Sequence, residues 1–81
     1  MEDKILEVMR RVFQNEDIDT SCSQMNCEQW DSMNHLNLIV ELEMEFDTSF
    51  EPEEIGEMTT FTKVLESVRK KLQGKVDMLY N

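Results

Sequence analysis

The sequence predicts an all-α domain, a small four-helix bundle of three main helices plus one short helix, with a long loop between helices one and two. Three observations carry that prediction. Apolar residues recur at spacings of three and four in separate stretches, the period-two alternation of a strand is missing, and start and stop residues bracket each stretch. At 81 residues the chain is one domain, and a chain near this size buries only roughly 60% of its unfolded surface, leaving little room for an enclosed active site.

Helix one spans residues 3 to 14, where Ile5, Val8, Met9, Val12 and Phe13 share a face. Glu2 and Asp3 at its start and Arg10 and Arg11 near its end suit the helix dipole, and Asn15 is the expected stop. From Glu16 to about Trp30 the periodicity dissolves into Asp, Ser, Thr, Asn and Cys, with Ile18, Met25 and Trp30 as anchors. So long a loop has a purpose, such as spanning the length of a helix between two antiparallel neighbours.

Helix two covers residues 32 to 46, with Asp31 as N-cap and Ser32 as the first helical residue. Leu36, Leu38, Ile39, Leu42 and Phe46 form its expected core face, Asn34, Asn37, Glu41 and Glu45 the opposite side, and Met33, Val40 and Met44 a narrow apolar edge between them. Pro52 opens a short helix within Phe50 to Met58, closed near Gly56 to Met58. The final helix runs from about Thr60 to Leu72 with Phe61, Val64, Leu65, Val68 and Leu72 on one stripe, and Gly74 is its expected C′ residue. Residues 1 to 74 are then the domain, and 75 to 81 a frayed tail.

Hydrophobic residues make up 40% of the chain, enough for one modest core of about 3–5 kcal/mol net stability. Seven methionines make that core adaptable. The formal charge of −10 repels nucleic acid and anionic membranes. Between Val12 and Thr62 there are thirteen carboxylates and no Lys or Arg, a negative field that would steer basic partners. Cys22 and Cys27 match no redox or zinc motif, and the start Met1-Glu2-Asp3 lacks the basic region of a signal peptide, so the expectation is a reduced protein of the cytoplasm, without membrane insertion and monomeric.

Ser32 and His35, three apart on a helix, could meet as nucleophile and base. The sequence has no Gly-x-Ser-x-Gly elbow, however, and His35 is expected to be a solvated first-turn residue. Calcium is a stronger challenger, because Asp17, Asp19, Ser21 and Glu28 occupy positions 1, 3, 5 and 12 of an EF-hand loop. Cys22 stands where that loop needs glycine, and Gln24 where it takes an apolar residue. A zinc site from Cys22, Cys27 and His35 has irregular spacing. Finally, Ser32 could be modified: a phosphate there would meet the unpaired N–H groups and positive dipole end of helix two. On these residues alone, an ordinary first-turn serine remains the simpler reading, and an acidic helical interaction module, calcium-binding through Asp17, Asp19, Ser21 and Glu28, stays open.

The motif Asp31-Ser32-Met33, followed by Leu38-x-x-x-Leu42-Glu43-x-Glu45-Phe46, Pro52-Glu-Glu-Ile and Thr59-Thr60-Phe61, resembles the acyl carrier protein family over residues 3 to 72. Met33 replaces the usual Leu, a volume-conserving change. The resemblance implies 4′-phosphopantetheine moved from coenzyme A onto Ser32 by a phosphopantetheinyl transferase, and an acyl group carried as a thioester on the arm. A member of the family catalyses nothing itself. It also implies that Asp31, Met33, Val40, Glu41, Met44 and Glu45 contact partners, among them acyl-loading and acyl-using enzymes with basic docking patches. Asn34 and Asn37 stand where fatty-acid carriers commonly have acids, and Trp30 where a smaller apolar residue is usual. A start of this kind is more similar to carriers of specialised polyketide, peptide or cell-envelope pathways.

Overall fold

The computed structural model describes the backbone of residues 1 to 80 and the side chains of residues 1 to 73. Its elements are α1 (Glu2–Phe13), α2 (Ser32–Phe46), α3 (Pro52–Glu57) and α4 (Phe61–Tyr80). Helix α1 buries Ile5, Leu6, Val8, Met9 and Phe13, so its amphipathic stripe faces the core as expected. The helix ends at Phe13, two residues before Asn15: the cap residue Gln14 adopts the left-handed conformation and its N–H bonds to Arg10 O. Asn15 instead opens the loop, its Oδ1 accepting the N–H of Asp17 at 2.9 Å.

Helices α1 and α2 pack against each other. Lys4 Nζ lies 2.9 Å from Glu45 and Arg11 Nη2 3.1 Å from Glu41, so the start of α1 meets the end of α2 and the pair is antiparallel. The loop therefore returns along the length of a helix. Ile18, Cys22, Cys27 and Trp30 bury its inner side, while Arg10 Nε donates to Ile18 O at 2.9 Å. Met25 is no anchor; it is 97% exposed. Its turn is closed by Asn26, which bonds Ser21 O and the Ser23 N–H, and that closure turns Met25 outward. Gln24 N donates to Thr59 O and Phe61 N to Cys22 O, an isolated antiparallel bridge that pins the loop to the start of α4.

Helix α2 buries His35, Leu38, Ile39 and Leu42, with Phe46 partly covered. Leu36 was expected in this face but is 59% exposed, and His35 was expected in water but is buried. One rotation explains both. Positions 35, 38, 39, 42 and 46 share one arc, and Leu36, about 100° further round, falls beside Val40 and Met44.

Helix α3 buries no side chain completely. Pro52 opens it, a reciprocal Glu51–Glu54 capping box closes its first turn, and the buried Phe50 and Met58 anchor it on either side. Thr60 Oγ1 accepts the Lys63 N–H at 3.1 Å and caps α4, which places Phe61, Val64, Leu65 and Val68 in the core. The helix does not stop at Gly74 but continues to Tyr80, so the expected tail is helical as far as residue 80; Asn81 lies outside the described residues. A glycine inside a helix costs only about 1 kcal/mol against alanine, and no proline follows to break the turn.

Lys71 Nζ, 2.8 Å from Glu54, ties α4 to α3 and holds the Glu54 carboxyl below its ordinary value of 4.5. A depressed folded-state value contributes stability above about pH 4.5 that is lost as pH falls through the lower folded value. Lys71→Met should therefore flatten the fall of stability with pH on the acid side of 4.5, read by urea unfolding at stepped pH. An unchanged acid slope would show that the pair is idle.

Candidate functional site

The site begins with a helix start held from three directions. Asp31, extended at φ −92°, accepts the N–H of Asn34 on its side chain at 2.8 Å, and its carbonyl accepts the N–H of His35 at 2.8 Å. Asn34 returns the tie, donating from Nδ2 to Gln29 O at 2.8 Å, and Asn37 bonds Asn34 in turn. The two asparagines thus lock the loop end to the first turn of α2. Beneath them Trp30 is buried against Phe13, ring centroids 5.3 Å apart.

Trp30 Nε1 donates to His35 Nδ1 at 2.9 Å, and His35 Nε2 faces Ile55 O at 2.7 Å. An indole N–H only donates and a carbonyl only accepts, so the imidazole is the neutral tautomer with its hydrogen on Nε2. This relay joins the loop, α2 and α3 through one side chain. Both ring nitrogens are occupied, which removes His35 as a base for Ser32. Sequence reading missed the relay because a histidine near a helix start is ordinarily solvated; the signal was there, in its place on the arc of Leu38, Ile39 and Leu42.

Ser32 is exposed on this base, and among the described residues no hydrogen bond ties its hydroxyl down. The first-turn N–H groups of α2 have no intrahelical acceptors; Asp31 uses that of Asn34. The site thus presents a free primary hydroxyl at the positive end of a fifteen-residue helix, chemistry that suits a phosphodiester. Met33, Val40 and Met44 are exposed and line up from Ser32 along α2, joined by Leu36. Glu41 and Glu45 lie alongside, paired with Arg11 and Lys4. The Lys4 hydrogen bond holds the Glu45 carboxyl below its ordinary range.

Asp17, Asp19, Ser21 and Glu28 do line one depression, of about 470 Å³, but they form no coordination shell. Among the described residues no three Asp, Glu, His or Cys side chains converge as metal ligands. Asp19 is engaged by Ser21, whose N–H and hydroxyl it accepts at 2.9 and 2.6 Å. Cys22 and Cys27 are free thiols, both buried; burial, reinforced by the neighbouring Cys27, pushes Cys22 up to about 12. A thiol so placed packs as a small apolar group and is a poor nucleophile or metal ligand.

No protein-family model matches the sequence, and no curated protein does. Solved structures do. The solution NMR structure of a holo acyl carrier protein from Geobacter metallireducens superposes with a TM-score of 0.84 at 29% identity, covering 94% of this chain and 90% of that one. A Mycobacterium tuberculosis protein provisionally assigned as an acyl carrier protein gives 0.77 at 26% identity, covering 84% of this chain and 93% of its own.

Proposed function

We propose that this chain, which has the fold of the acyl carrier proteins, carries an acyl intermediate as a thioester on a 4′-phosphopantetheine arm joined to Ser32. Proteins of that kind are carriers and not enzymes, and the occupied His35 ring accords with this. The observation that carries the reading is the exposed, untethered Ser32 hydroxyl on a rigid helix start.

The arm supplies a thiol for the thioester; the chain supplies everything that holds the arm's root. Ser32 offers the hydroxyl, the first turn of α2 stabilises negative charge beside it, and Asp31 and Asn34 keep that turn from fraying. The partners are a phosphopantetheinyl transferase and acyl-loading and acyl-using enzymes, which meet the edge formed by Met33, Val40 and Met44. The pathway it would serve is a specialised one, as the Trp30, Asn34 and Asn37 departures suggest; Trp30 and Asn34 also have structural tasks in the loop. Among the described residues no helix is long and apolar enough to cross a membrane.

Incubation with coenzyme A and a permissive transferase should add one phosphopantetheinyl group to the intact mass, and Ser32→Ala should abolish the gain completely. A folded wild-type chain that gains nothing, or a gain that survives Ser32→Ala, overturns the reading.

A further inference from the structure

An acyl group tethered at Ser32 can lie inside the helical bundle or outside it. Ser32 heads α2, so a tethered chain reaches the core only through the seams where α2 meets its neighbours. Each seam is tied. Toward the loop, Asn34 Nδ2 donates to Gln29 O at 2.8 Å, and Trp30 behind it is buried against Phe13. Toward α3, His35 Nε2 donates to Ile55 O at 2.7 Å, and lower down Glu43 accepts the Phe50 N–H at 2.9 Å. Toward α1 the two helices pack directly, with the Arg11–Glu41 and Lys4–Glu45 ion pairs on their rim.

What lies behind the seams is rigid. Phe13, Trp30 and His35 form a run of three buried rings beneath the first turn of α2, with successive centroids 5.3 and 6.1 Å apart. The imidazole is held at both nitrogens, and Gln24 Nε2 approaches its Nδ1 to 3.4 Å. Methionine or leucine side chains could slide apart to admit a hydrocarbon chain. The His35 ring cannot move without leaving the indole N–H buried with no acceptor and Ile55 O short of its donor.

Resting on the carrier reading, we propose that the acyl group rides in solvent outside the bundle, held out by the Trp30–His35–Ile55 relay, and that the cargo is therefore a short or polar acyl group. Every methylene left in water is unfavourable, so an unsheltered long chain is carried at a growing cost, whereas a short, hydroxylated or amino-substituted acyl group is not. The exposed side chains of Met33, Leu36, Val40 and Met44 form a single row on a convex helix face, which touches a chain from one side only.

The test loads the full chain at Ser32 from acetyl-, hexanoyl- and tetradecanoyl-coenzyme A with a permissive transferase. Circular dichroism then follows thermal unfolding, and intact mass follows cleavage of the thioester by hydroxylamine. A chain lodged in the fold would act as a ligand of the native state and shield its thioester. The three wild-type forms should instead unfold within about 2 °C of one another, lose the acyl group at rates within about twofold, and share one Trp30 emission maximum. His35→Ala removes the ring and both of its bonds, and in that variant hexanoyl should cleave at least about threefold more slowly than acetyl. The wild-type series is decisive whether or not the variant folds. Wild-type midpoints that climb with chain length, or cleavage that slows with it, overturn the inference while leaving Ser32 loading intact. The same holds if such protection disappears in Leu36→Ser, since the chain then lies on α2. A folded His35→Ala chain that shelters hexanoyl no better than wild type also overturns it, because the relay is then not what keeps the cargo out. No loading from any of the three removes the carrier reading and this inference with it.

Discussion

Trp30→Ala should remove about 3–5 kcal/mol of stability, the usual cost of deleting a large buried aromatic side chain. A domain of this size has on the order of 4–12 kcal/mol in total, so much of the population should unfold under mild conditions. The indole is buried, stacks at an angle on Phe13 5.3 Å away, and holds the last loop residue before Asp31 and Ser32. Its loss leaves a cavity beneath the site and frees the loop end together. Trp30→Phe separates these effects, because it keeps a ring against Phe13 and deletes only the N–H that reaches His35. That variant should cost about 1–2 kcal/mol. Urea unfolding followed by far-ultraviolet circular dichroism measures both without relying on the tryptophan signal. An alanine variant within about 1 kcal/mol of wild type would show that Ile18, Cys22 and Cys27 hold the loop without Trp30.

Substitution of His35 should divide the relay into its two halves. In His35→Asn the amide oxygen takes the place of Nδ1 and accepts from Trp30, while the reach to Ile55 is lost. His35→Gln does the reverse: its amide N–H occupies the place of Nε2 and donates to Ile55 O, and the indole N–H is left buried without its acceptor. Each variant should lose about 1–3 kcal/mol, but with different local signatures. Amide exchange should accelerate over residues 52 to 57 in the Asn variant, since α3 has no completely buried side chain and loses a polar tie to α2. Trp30 emission should shift in the Gln variant and remain near wild type in the Asn variant. Equal exchange and equal emission in the two would mean that the ring matters only by its volume.

Most of the helical architecture was legible in the sequence. Asp31 caps α2, Pro52 opens α3, and the stripe of Phe61, Val64, Leu65 and Val68 is buried, all as local patterning predicted. The exceptions share a cause. Leu36 and His35 exchanged roles because hydrophobicity alone decides a helix wheel poorly when a polar residue can satisfy both of its nitrogens inside. Met25 was apolar enough to anchor the loop, yet the Asn26 and Ser23 bonds turned it outward and the two cysteines filled the inner positions. Glu41 and Glu45 pair with Arg11 and Lys4, thirty and more residues away, contacts that no short window contains.

By itself the sequence determined where helices start, which serine heads α2, and which residues supply most of the core. These depend on contacts three or four residues apart, such as Asp31 with Asn34 or Glu51 with Glu54, and any short window contains both partners. Only the tertiary structure decided what supports Ser32 and what surrounds the exposed apolar edge of α2. Trp30 and Ile55 meet through His35 across twenty-five positions, and α1 cations pair with Glu41 and Glu45, because antiparallel packing of α1 on α2 sets a register between helices that neither helix specifies alone.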